Sequence, residues 1–141
     1  MNKSSLVRQT KQDFNKGNQP CNTCLQLIPS GKLNQQKNPI YLLEIYYQGQ
    51  LKETFLTVVG RSYTQTRNRD QAGNESPLPD GKYTVSSYSV PGTIPEVGGR
   101  FIPVQPQFRT GRSALGIHYD PSYNKNNGED GTAGCIGLTT R

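Results

Sequence analysis

The stretch Ile40-Tyr41-Leu42-Leu43-Glu44-Ile45-Tyr46-Tyr47, followed by Gln48-Gly49-Gln50 and then Leu51-Lys52-Glu53-Thr54-Phe55-Leu56-Thr57-Val58-Val59, decides the fold class. Both halves are rich in β-branched and aromatic residues, and a glycine-bearing turn separates them. The segment reads as a β-hairpin closed by Gly60. Further strand signals follow it. The turn Pro77-Leu78-Pro79-Asp80-Gly81 feeds a strand over 82–88. Residues 100–104 make a short strand, placed at an edge because Pro103 cannot donate to a ladder. Residues 114–119 make a further apolar strand and 132–138 close the chain, while 61–75 reads as a long polar loop or a short irregular helix. With 15 Gly and 10 Pro in 141 residues, strands joined by turns are favoured over long helices. The expectation is a mostly-β chain with one β-sandwich domain over 39–141, short helices and a small core.

Residues 1–38 are polar, rich in Gln, Asn and Lys, and without sustained periodicity, so they read as a polar arm or linker with some local order around 21–28. Cys21 and Cys24 form a C-x-x-C there. No second such pair accompanies it, which argues against zinc and for a small disulfide-pinned loop in an oxidising compartment. The third cysteine, Cys135, is the expected free thiol.

The chain carries a formal net charge of +6. A basic surface suits a polyanionic partner, either nucleic acid or the anionic bacterial wall. The basic residues are scattered and no groove-entering helix or stacking motif is visible, so nucleic acid ranks last. No stretch reaches the ~20 apolar residues of a membrane span. The first residues lack the apolar run of a secretory signal. Work outside the cytoplasm would then need a removed signal, a nonclassical route, or delivery by a phage or injection device.

One pairing carries chemistry. His118, the single histidine, ends an apolar strand, and Cys135 follows seventeen positions later beside Gly134. The reactive form of cysteine is the thiolate, so a nucleophilic cysteine needs a neighbour that lowers its pKa or takes its proton. Imidazole does this near neutral pH. The small residues Ala133 and Gly134 leave room for a substrate carbonyl and free backbone N–H groups for an oxyanion. The competing reading is a small buried hydrophobe beside a histidine that caps a hydrogen-bond network.

Ile117-His118, then a Gly-bearing loop, then Thr132-Ala133-Gly134-Cys135-Ile136 resembles the motif of the L,D-transpeptidase (YkuD-type) family. Ser76-Pro77-Leu78-Pro79-Asp80-Gly81-Lys82-Tyr83-Thr84-Val85 is similar to that family's Thr-Pro-x-Gly-x-Tyr/Phe strand opening, and the hairpin over 43–60 to its first hairpin. The resemblance implies a cysteine acyl-enzyme acting on peptidoglycan stem peptides, as an L,D-transpeptidase or L,D-carboxypeptidase, with no cofactor and no metal. It implies Cys135 as nucleophile, His118 as base and then acid, the Tyr119 backbone carbonyl as orienter, and the Gly134 N–H in the oxyanion hole. This chain departs from the pattern at Ala133, where the family has His, and at Gly137, where it has Arg or Asn; it also stops at Arg141. The departures point to a divergent, phage-borne or secreted branch.

Arg100, Arg109 and Arg112 precede the His strand and can bind stem-peptide carboxylates, with Ala133 also against substrate. Asp120 can hold the imidazole or be a solvated surface charge. Asp120, Asn124, Asn126, Asn127, Glu129 and Asp130 do not match the spacing of a calcium loop. The alternative function is a non-catalytic structural or wall-binding component of a phage or injection device, docked through 1–38. The expected location is the cell envelope, the periplasm or a phage particle.

Overall fold

The computed structural model describes residues 4–8, 22–92, 99–120 and 131–139. In chain order the strands are β1 (Ser4–Arg8), β2 (Cys24–Leu33), β3 (Pro39–Tyr47), β4 (Gln50–Arg61), β5 (Gly81–Val85), β6 (Val90–Pro91), β7 (Arg100–Pro106), β8 (Gly116–Tyr119) and β9 (Gly131–Leu138). The mostly-β reading is what the chain adopts. Among the described residues there is no helix, and 61–75 is a run of turns.

The hairpin forms as its sequence dictates. Tyr47 pairs with Gln50, and Gln48 and Gly49 between them take φ 52° and 77°. Positive φ at both central residues is the two-residue turn whose twist matches antiparallel strands.

The strands lie in the order β5-β1-β2-β3-β4-β9-β8-β7-β6, and β5 also pairs with β7. That extra pairing closes the sheet on itself. The expected sandwich is therefore one curled sheet, with the short β6 outside the closure. Most neighbours are antiparallel, but β1 with β2 and β8 with β9 are parallel. Parallel neighbours need a long connection between them, and the β8–β9 pair receives it from 120–131.

Two expectations are corrected. The first is the polar arm. Residues 24–33, and 4–8 before them, are strands of the sheet, and Leu6 and Leu27 are fully buried in the core. Few apolar residues carry this burial, so a reading by periodicity passes over it. Arg8 joins them at 4% exposure, paired with Asp80, donating to Tyr41 Oη (3.0 Å) and lying 5.1 Å from that ring's centroid. A buried cation is tolerated only with such partners. The second is the edge position of β7, which lies between neighbours on both sides. Pro103 fits because its missing donor faces the gap between β5 and β6, where its carbonyl accepts from Ser86 N at 3.0 Å. The interior is lined by Leu43, Val59, Tyr83, Val104, Ile117 and Ile136, with Leu78 from the proline-rich turn also fully buried among them.

Cys24 is disulfide-bonded and Cys135 is not. Cys21, the partner expected for Cys24, lies outside the described residues, as do 124–130 of the loop compared with a calcium site.

Replacing Leu6 by Ala removes a fully buried side chain from β1 and is expected to cost about 2–5 kcal/mol. Urea denaturation measures this; an unchanged midpoint would mean that β1 contributes nothing to the core.

Candidate active site

The site is set by register on three strands. Val59, Ile136 and Ile117 are partners across β4, β9 and β8, and all three lie in the core. Side chains alternate along a strand. The next row, Val58, Gly137 and His118, therefore faces the other side of the sheet. Cys135, on the far side of Ile136, shares that face. It stands two residues before the partner of His118, on the adjacent parallel strand. From a rise of ~3.3 Å per residue and a strand spacing of ~4.8 Å, the two Cα atoms lie roughly 8 Å apart.

His118 is buried, and its Nδ1 lies 2.8 Å from Tyr119 O. A carbonyl can only accept, so Nδ1 carries the hydrogen and the neutral ring keeps its lone pair on Nε2. Phe101, the register partner of His118, lies with its ring centroid 6.4 Å from the imidazole, tilted by 32°. Gly116 makes room for it, because a Cβ there would strike the Phe101 ring and stand 2.6 Å from Ile102 O.

Cys135 is half-exposed, and its Sγ lies 3.7 Å from Ala114 O. Ala114 takes φ 54°, a region unusual for a residue with a Cβ. Held backbone of this kind concentrates at functional sites.

The turn before Cys135 is organised by Thr132, which is 2% exposed. Its Oγ1 accepts from Gly60 N (2.9 Å) and from Gly134 N (3.2 Å), and donates to Cys135 O (2.6 Å). The Gly134 amide, expected to face an oxyanion, is thus engaged by a side chain two residues earlier. The short Thr132-to-Gly134 spacing favours this local bond over an open donor. Gly134 has φ 125°, and a Cβ on it would meet Ser76 O at 2.7 Å and the Arg112 guanidinium. Glycine is required there by conformation and by space alike.

Among the arginines read as carboxylate ligands, only Arg112 is brought to this turn. It is 9% exposed, and its Nη1 donates to Arg69 O (2.9 Å), Ser76 Oγ (2.9 Å) and Pro77 O (3.1 Å). Those acceptors fill the directions a substrate carboxylate would need at Nη1. Burial lowers the pKa of the guanidinium, and Cys135, Tyr83 and Asp70 act in the opposite direction. Arg100 is exposed and bonded to Ser89 through Oγ (3.0 Å) and O (2.8 Å), and Arg109 is exposed. Ala133 lies on β9, its side chain outside the described residues.

Asp120 corrects the expectation of a solvated charge. It is 1% exposed, and its Oδ2 accepts from Gly131 N at 3.1 Å while its own amide donates to Leu138 O at 2.9 Å. It thereby ties the two ends of the β8–β9 connection together. At Gly137 a Cβ would stand 2.7 Å from Thr132 Cγ2 and 3.1 Å from Asp120 Cβ, so the position is filled by its neighbours. Sequence reading missed the organising roles of Thr132 and Ser76. A Thr two residues before a Gly is a weak turn signal, and Ser76 stood out only as the first residue of the proline-rich strand opening. No group of three or more His, Cys, Asp or Glu that could hold a metal ion occurs among the described residues.

The arrangement can present a thiol to a carbonyl, with a tautomer-fixed imidazole on the same face. A family model, the L,D-transpeptidase catalytic domain (YkuD), matches residues 33–141. No curated protein and no solved structure matches the chain. The chain belongs to the L,D-transpeptidase catalytic-domain family.

Thr132→Val keeps the shape of the turn's organiser and removes its hydroxyl. The Gly60 and Gly134 amides then lose their acceptor, at about 1–3 kcal/mol for each buried group left unsatisfied. Denaturant titration is expected to show a loss of that size, while Thr132→Ser retains most of the stability.

Proposed function

We propose that this member of the L,D-transpeptidase catalytic-domain family is a cysteine-dependent L,D-transpeptidase or L,D-carboxypeptidase acting on peptidoglycan stem peptides. The observation that carries the reading is the His118 Nδ1 contact with Tyr119 O at 2.8 Å, on the strand adjacent to Cys135 and facing the same way. It leaves Nε2 as the ring's proton acceptor. His118 takes the thiol proton. The Cys135 sulfur then attacks the carbonyl that precedes the terminal D-alanine. A C–S bond forms, the C–N bond breaks, and the departing amine takes the proton from His118. Water as second acceptor gives a hydrolase, and the amine of another stem gives a cross-link. A bonded Cys24 fits an oxidising compartment, in keeping with the cell envelope, the periplasm or a phage particle.

A second reading is a non-catalytic wall-binding component of a phage or injection device. It draws on the Gly134 amide, which is engaged by Thr132, and on the Cys135 thiol, which faces the Ala114 carbonyl. A carbonyl accepts from the neutral thiol and disfavours the thiolate.

Mass spectrometry of tetrapeptide muropeptides incubated with the protein separates the two. The enzyme reading expects D-alanine release by the wild type and none by Cys135→Ala, with His118→Ala lowering the rate by about 100-fold or more. Sacculus binding that survives Cys135→Ala, with no release by the wild type, would establish the second reading instead.

A further inference from the structure

We infer that Arg112 is a positioning residue of the cysteine, a buried cation seated against the Gly134–Cys135 turn that stabilises negative charge on the Cys135 sulfur. The inference rests on Cys135 being the reactive group. Three observations carry it. The guanidinium reaches the turn from the β7–β8 connection and occupies the space that a side chain at Gly134 would need. Its Nη1 is held there by the acceptors of Arg69, Ser76 and Pro77, which fix its orientation and are all neutral. No carboxylate forms an ion pair with it among the described residues. A cation that is 9% exposed and has no carboxylate ion pair among the described residues is expensive to bury unless an anion lies near. Of the groups that favour its charge, Cys135 is the largest, ahead of Tyr83 and Asp70.

A cation beside a thiol favours the thiolate. The corner therefore sets two influences against each other. The Ala114 carbonyl favours the neutral thiol, and Arg112 favours the anion. Among the described residues, the titratable and charged groups around it are His118 and Asp120 on or next to β8, Arg112 before β8, and Tyr83, Asp70 and Arg69 beside Arg112. Arginine stays charged throughout the working range of pH, so its effect on the sulfur persists whether His118 is protonated or neutral.

The test is the pH profile of Cys135 alkylation by iodoacetamide in the full chain, with the modified residue located by mass spectrometry. Arg112→Gln is expected to raise the midpoint by about one pH unit or more, which is about tenfold less thiolate near neutral pH. Arg112→Lys is expected to restore most of the shift. A folded Arg112→Gln protein with an unchanged midpoint would overturn the inference and leave the cysteine-enzyme reading standing. An ordinary midpoint near 8.5 in the wild type would overturn both. Should Arg112→Gln fail to fold, the wild type alone decides. The cation is expected to make the ratio of iodoacetate to iodoacetamide rates higher in the native chain than in the urea-unfolded chain. An equal or lower ratio overturns the inference.

Discussion

Ile136 has Val59 on one side and Ile117 on the other, so β9 is hydrogen-bonded along both edges and its core face is sealed. The residues on either side of Ile136 inherit their direction from it. Gly137 and Cys135 face away from the core because Ile136 faces into it, and His118 joins them because its neighbour Ile117 is held in the same row. A one-residue slip of β9 would exchange the two faces and bury the cysteine. Burial of three aliphatic side chains, with no catalytic chemistry of their own, is what puts Cys135 and His118 on one face of the sheet.

The same strand carries its own adjustment. A regular β9 would continue the alternation through Gly134 and Ala133, but Thr132 bonds forward to Gly134 N and Cys135 O and sideways to Gly60 N. These bonds bring the strand's beginning into a tight bend. The bend leaves a hollow at Gly134, which Arg112 fills. Local hydrogen bonding, the absent Cβ and the buried guanidinium are thus one arrangement. Ser76 belongs to it as well, through its hydroxyl to Arg112 and its carbonyl against Gly134.

Much of this was legible in the sequence. The 40–59 hairpin announced itself because alternation and a Gln-Gly turn act locally, and β8 was visible as a short apolar run. The relation of Tyr119 O to His118 was expected from the resemblance, and the contact exists at 2.8 Å. What could not be read was non-local. β1 and β2 bury Leu6 and Leu27 within polar surroundings, and their pairing with β5 and β3 depends on strands far along the chain. Pro103 suggested an edge because the rule concerns a missing donor, and only the surrounding strands show that the donor has no ladder position to fill. Arg112 read as a carboxylate ligand, and Asp120 as a holder of the imidazole or a solvated charge, because no pattern along one chain reveals which loop residues fold inward. The Gly134 amide looked open because an amide's acceptor is a matter of three dimensions.

The bond from Gly131 N to Asp120 Oδ2 draws the ends of a long connection to one point. The register of β8 against β9 is thereby tied at a point that does not depend on how many residues the chain spends between Asp120 and Gly131. A change of length between those two positions leaves the rows of Ile117 with Ile136 and of His118 with Gly137 where they are.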